Sequence, residues 1–182
     1  MEAAIGLLEL NSVARGIEVC DSMLKVAGVE LVEAHPTCPG KYIVLITGLL
    51  ASVEESVSKG IDTGGDYVVD RLIIPNVHPE VIPAIRGTTD VKEIEAIGVI
   101  ETFSISSCII AADVARKAAD VRLIEIRLAM GLGGKAYVTM TGEVGAVRTA
   151  VNAGCNALKG EGILISRTVI PKAHPDMGKV VL

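Results

Sequence analysis

Aromatic residues are nearly missing from this chain: they make up 2% of its 182 residues, with no tryptophan and a single phenylalanine. Cations are also in the minority, 17 Lys and Arg against 22 Asp and Glu, for a net charge of −5. Nucleic acid is therefore excluded as a partner, because no basic stripe neutralises phosphates and little is available to stack on bases. The four cysteines, Cys20, Cys38, Cys108 and Cys155, are irregularly spaced without a CxxC pair, so they form no disulfide framework. Long apolar runs are absent too. The longest charge-free stretches, Tyr42 to Val53 and Thr102 to Ala112, fall well short of the ~20 residues a spanning helix needs. Glu2 and Glu9 interrupt the start and no basic segment precedes them, so a secretory signal is not expected and the chain reads as cytoplasmic, without a membrane partner.

What the chain does have is apolar residues, 50% of the total with a mean hydropathy of +0.51. That is more than small domains bury alone, and it predicts assembly with other chains. It also repeats itself. Ala4-Ile5-Gly6-Leu7-Leu8-Glu9 returns as Ala96-Ile97-Gly98-Val99-Ile100-Glu101, and from Ala4 to Glu33 the copy lies 92 positions on with 12 of 30 residues identical. The offset becomes 94 from Gly40 to Gly60 and 96 from Arg71 to Pro79, where Ile74-Pro75-(x)2-His78-Pro79 matches Ile170-Pro171-(x)2-His174-Pro175. Insertions that fall at loops mark two fused copies of one small domain. The expected domains are 1–86 and 96–182, joined by a linker at 87–95 within the Pro/Gly/Thr-bearing stretch Glu80 to Glu95.

Each copy reads strand, helix, strand, strand, helix, strand. In the first copy the strands are Ala3 to Leu10, Val29 to Ala34, Tyr42 to Thr47 and Val68 to Ile74. The helices are Val13 to Ala27, with Asn11 or Ser12 as N-cap, and Ala51 to Lys59. A turn lies at Thr37 to Gly40. Two strands flanking a helix, taken twice, give the α/β (α+β) ferredoxin-like βαββαβ pattern: a four-stranded antiparallel sheet with helices on one face.

The signature A-I-G-ϕ-ϕ-E, D-x-x-x-K-x-A, V-x-L-ϕ-E, G-K and I-P-x-x-H-P, present in order twice, resembles the bacterial microcompartment shell domain. Two fused copies resemble its tandem-domain subclass. Cys38-Pro39-Gly40-Lys41 resembles in particular the loop of the iron–sulfur T-type shell proteins of propanediol-utilisation compartments. The resemblance implies a structural tile inside a cytoplasmic bacterial microcompartment, not an enzyme. It implies a pseudo-hexameric homotrimer that meets other microcompartment shell proteins and, as a further partner, a redox enzyme.

In that frame Thr37, Cys38, Pro39 and Gly40 of the first copy, and Leu132, Gly133 and Gly134 of the second, are pore-loop residues. Cys38 sits in a turn rather than an apolar stripe. Pro39 fixes φ and Gly40 permits a tight return, so the thiol is presented in a defined direction. If the loop points at a three-fold axis, one cysteine per chain becomes three thiolates. Three thiolates hold three irons of a [4Fe–4S] cluster, one cluster per trimer, with one iron open. His35 offers a rival, a zinc site of cysteine and histidine on the same axis.

Lys25 and Lys117, each four residues after an aspartate, form i,i+4 pairs worth at most about 0.5 kcal/mol. By resemblance they are tile-edge contacts, and the family's arginine after I-P is here Asn76 and Lys172. Glu9 and Glu101 lie inside apolar strands, where an unpaired carboxylate is costly, and are expected to be paired or hydrogen-bonded at a domain interface rather than to form an acid–base couple. The glycines of Gly131 to Lys135 only superficially resemble a phosphate cradle, because a strand follows and the Lys-Ser/Thr ending is missing. Cys20, Cys108 and Cys155 read as small buried apolar residues. Two further functions stay open: a tile without a cluster whose pore passes small metabolites, and a trimeric ferredoxin-like metal-binding or sensing protein.

Overall fold

The computed structural model describes residues 3–158 and 163–182. It forms two compact units that divide between Val77 and His78. In the first, strands β1 (Ala4–Leu10), β2 (Val29–Thr37), β3 (Lys41–Gly48) and β4 (Val68–Ile74) alternate with helices α1 (Val13–Val26) and α2 (Leu50–Gly64). The second opens with a short helix α3 (Val81–Arg86). It then repeats the plan with β5 (Ala96–Thr102), α4 (Ile105–Ala118), β6 (Arg122–Leu128), β7 (Ala136–Gly142), α5 (Val144–Ala157) and β8 (Leu164–Ile170), and ends in a short helix α6 (Gly178–Val181). Both sheets are antiparallel, ordered β2-β3-β1-β4 and β6-β7-β5-β8, which is the ferredoxin-like arrangement.

Local chemistry explains the repeat. Ser12 caps α1 by accepting from Arg15 N at 3.3 Å, and Ser104 caps α4 by accepting from Ser107 N at 3.2 Å. Each hydroxyl satisfies one of the open N–H groups of a first turn. All seven residues of β1 are buried, so the central strand reads as a near-continuous apolar run rather than an alternation. The glycine of A-I-G is there for space. A Cβ on Gly6 would stand 2.7 Å from Val57 and 2.8 Å from Val53, and one on Gly98 would stand 2.8 Å from Val151 and 2.9 Å from Val147. The second helix of each copy lies directly over that glycine. The first core gathers Leu8, Leu10, Met23, Val44, Ile46 and Val53 between sheet and helices.

Two elements run well beyond their expected limits and a third was not expected. Helix α2 continues through Gly60, because that glycine lets the helix lie against Leu8 and Met23, whose atoms come within 2.4–2.8 Å of where a Cβ would be. Strand β2 runs to Thr37 through Pro36, which an edge strand tolerates. The stretch Glu80 to Glu95 opens with an unexpected helix: α3 holds Pro83 in its first turn and closes on Gly87 at φ 64°. Val81 and Ala84 are fully buried, and α3 packs against β6 of the second unit. The sequence reading placed 78–86 with the first domain, whereas its contacts place it with the second.

Candidate functional site

The β2–β3 loops of the two copies differ in length and chemistry. In the first, Thr37 pairs with Lys41 across the strands. Only Cys38, Pro39 and Gly40 remain to make the turn, with a cis Cys38–Pro39 peptide and Gly40 at φ 79°, a conformation that favours glycine. Pro39 and Gly40 are exposed and Cys38 is half-buried. In the second, Leu128 pairs with Ala136, and the intervening turn holds Ala129, Gly131, Gly133 and Gly134 at φ 56–89°. It is two residues longer between equivalent strand positions. Counted from the second strand, the place of Cys38 is taken by the exposed Met130; counted from the third, by the half-buried Leu132. Lys135 N donates to Leu132 O at 3.2 Å and β7 follows at once, so the loop does not lead into a helix N-terminus as a phosphate cradle does.

Around Cys38 the donor set of one chain is sparse. His35 turns its Nδ1 to the Pro36 carbonyl (3.1 Å) and its Nε2 toward Glu33 (3.7 Å). Among the described residues no three His, Cys, Asp or Glu side chains gather closely enough to hold a metal ion. A single chain therefore offers one soft thiol, and any thiolate-ligated centre must draw on several chains. Thr37, next to Cys38, is buried with its Oγ1 lacking a hydrogen-bond partner. A half-exposed thiol on a tight, exposed turn is open to a group shared between chains.

The duplicated glutamates sit at the base of these loops. Buried Glu9 pairs with Lys41 at 3.1 Å, and the half-buried Glu101 with Lys135 at 3.4 Å. The lysine of G-K thus neutralises the carboxylate of A-I-G-ϕ-ϕ-E in both copies, a pairing that motif reading alone left unassigned. An acid–base couple would need two carboxylates in contrasting environments at one site. Here each has its own cation in its own unit.

The edge positions are alike in sequence and unlike in setting. Lys25 reaches Asp21 at 2.6 Å with both side chains exposed. Lys117 reaches Asp113 at the same distance, but Asp113 is buried and also accepts from His78 N at 2.8 Å. Glu80 extends this cluster to Arg116, Arg122 and the Leu123 N–H, at 3.1–3.2 Å. Burial, and then the Arg116 guanidinium, hold the His78 imidazole below its ordinary value of 6.5. Its Nδ1 accepts from Glu80 N at 3.2 Å, as a neutral ring can. Asn76 stands at φ 60°, where asparagine is among the few tolerated side chains; its counterpart Lys172 is exposed. Of the remaining cysteines, Cys108 and Cys155 are buried and Cys20 half-buried. Burial pushes all three thiols up, Cys108 to about 12.

Comparison with known proteins agrees with this architecture. The BMC domain family matches residues 4–77 and again 96–173. The chain is 41% identical to the bacterial microcompartment shell protein PduT of Citrobacter freundii over 177 residues, 97% of this chain and 96% of that one. A crystal structure of a microcompartment protein from Desulfitobacterium hafniense DCB superposes with a TM-score of 0.95 at 50% identity, covering 98% of this chain and 99% of the other. A fused permuted hexameric shell protein of the RMM microcompartment shares the fold at a TM-score of 0.61 and 24% identity, over 86% and 83% of the two chains.

Proposed function

This chain belongs to the BMC-domain family, and on that premise we propose that three copies form a shell tile whose central pore is lined by Cys38 and closed by one [4Fe–4S] cluster. The chain is a structural shell protein of a bacterial microcompartment rather than an enzyme. Among its described residues no helix is long and apolar enough to cross a membrane. The tandem plan supports the trimer. Six domains around a ring need three chains, and a closed ring repeats one heterologous contact.

The observation that carries the cluster is the difference between the loops: a half-exposed cysteine on a three-residue turn in one copy, and no cysteine in the other. Three-fold symmetry supplies three thiolates from Cys38 and leaves one iron without a protein ligand. A cluster so held supplies one-electron chemistry, which suits passing electrons across the shell to a redox enzyme or carrying the cluster itself. The protein's own part is to aim the thiol with Pro39 and Gly40 and to hold the loop base with the Glu9–Lys41 pair. Other shell proteins are the lateral partners, met through the edges bearing Lys25, Lys117, Asn76 and Lys172.

A second reading keeps the tile and drops the cluster, with the glycine-rich second loop lining a pore for small metabolites; the donor-poor surroundings of Cys38 within one chain favour it. Anaerobic purification of wild type and Cys38→Ala, with iron and sulfide assays and EPR, separates the two. The cluster reading expects about four irons per trimer in wild type and none in the variant. Iron-poor protein in both, with trimers and sheets intact by electron microscopy, leaves the metabolite pore. A sensing protein would instead give discrete trimers that never form sheets.

A further inference from the structure

The segment after the last strand also occurs twice, and the two versions lie in different surroundings. His78–Arg86 and His174–Leu182 are equivalent at the offset of 96. They begin alike: His78 Nδ1 accepts from Glu80 N and His174 Nδ1 from Asp176 N, both at 3.2 Å. The next turn is also shared, with Val81 N donating to His78 O at 3.0 Å and Met177 N to His174 O at 2.9 Å. The first arm is docked. His78 N donates to Asp113 on α4, Glu80 holds Arg116 on α4 and Leu123 N on β6, and Val81 and Ala84 are fully buried. The second arm is only partly covered: Met177 and Val181 are half-buried, whereas Val180, in the place of Ala84, is 72% exposed and Leu182 61%, both at the edge of a cavity shared with Val91, Ile124 and Arg127 of their own unit.

The surface that would receive the second arm also exists twice. The counterparts of Asp113 and Arg116 in the first copy are Asp21 and Leu24, on α1. Asp113 is buried under the first arm, whereas Asp21 is exposed and paired with the exposed Lys25. Leu24 is 36% exposed, and Ile17, seven residues earlier on the same face of the helix as Asp21, 57%. An apolar helix face of this kind is unusual on a surface without a partner. The ionic contacts of the docked arm are replaced accordingly, since Arg116 becomes Leu24 while the arm gains Met177 and Val180. Asp176 keeps its charge balanced through Lys179.

We propose that the C-terminal arm His174–Leu182 of one chain docks on α1 and β2 of the first repeat of a second copy, in the manner of His78–Arg86 on α4 and β6. It rests on the reading that copies of this chain assemble, and it names the contact that links them. Each chain then gives one arm and receives one, so the exchange closes around a ring of heterologous contacts without a free end.

The test joins Leu24→Cys chains and Asp176→Cys chains, each also carrying Cys38→Ala and differently tagged, under mild oxidation. Leu24 and Asp176 are the counterparts of Arg116 and Glu80. The proposal expects a disulfide-linked dimer in the mixture that is absent from either variant alone. A Leu24→Cys/Asp176→Cys chain that cross-links only within itself at high dilution would overturn it. So would failure of the mixture to cross-link while wild type is a trimer by light scattering, and in that case the trimer survives as a reading. Monomeric wild type would remove both. Independently, deleting Ala173–Leu182 is expected to raise the protein concentration at which trimers dissociate by about tenfold or more. An unchanged dissociation curve for a folded truncated chain counts against the arm.

Discussion

Replacing Lys41 by methionine leaves a carboxylate without its cation at the foot of the first loop. The Glu9 side chain is 7% exposed and the Lys41 side chain 36%, at 3.1 Å. Breaking a fully buried pair by removing one partner costs about 3–5 kcal/mol. Water reaches the lysine side here, so the cost falls to about 2 kcal/mol. The second copy is the built-in control. Glu101 and Lys135 are 33% and 43% exposed at 3.4 Å, which puts Lys135→Met within about 1 kcal/mol. With a urea slope of roughly 2 kcal/mol per molar, Lys41→Met moves the unfolding midpoint down by about 1 M, and Lys135→Met by about half of that or less. The assay is urea unfolding at one fixed protein concentration, because assembly adds to apparent stability. A Glu9→Gln/Lys41→Met chain is expected to recover most of the loss, since a neutral amide removes the orphaned charge. Equal losses from both lysine variants, or no recovery in the double variant, would refute the pairing as the reason for the repeated glutamate and lysine.

Gly6→Ala and Gly98→Ala force a methyl to within 2.7–2.9 Å of valines on the overlying helix, and each should lower stability by about 1–3 kcal/mol in thermal unfolding. Lowered proton affinity at His78 has a defined sign. The unfolded chain takes up the proton first, so stability present above about 6.5 is lost as pH falls below it, with Glu80, Asp113, Arg116 and Lys117 as the facing charges. Unfolding midpoints at pH 7.5 and 5.5 should therefore differ more in wild type than in His78→Gln. In iron-free protein at pH 8, a thiol reagent should find one fast cysteine per chain, lost in Cys38→Ala, while Cys108, with its thiol pushed up to about 12, stays silent. A fast thiol that persists in Cys38→Ala would show that the loop does not present the sulfur.

Much of this fold was legible because each copy corroborates the other. A strand–helix order read once is weak, but the same order read again with Ser12 answering Ser104 and Gly6 answering Gly98 is strong. Features that depend on tertiary partners were less legible. Gly60 read as a helix end because glycine is a poor helix residue, yet the space it leaves for Leu8 and Met23 is what lets α2 continue. Pro83 and Gly87 read as loop punctuation, although proline suits a first turn and glycine a C-cap, so they bound a short helix. The boundary itself depends on where Val81 and Ala84 bury their side chains, which no local pattern reveals. At the site, the turn chemistry of Cys38-Pro39-Gly40 was readable. The Glu9–Lys41 pairing was not, since it joins residues from separate strands.

The most direct test of the central claim is native mass spectrometry of the anaerobically purified protein, beside Cys38→Ala. The account predicts wild type at the mass of three chains plus about four irons and four sulfides, and the variant as the same trimer at bare protein mass. Wild-type trimers at bare mass, or a metal that stays bound after Cys38 is removed, would contradict a cluster held by three Cys38 thiolates.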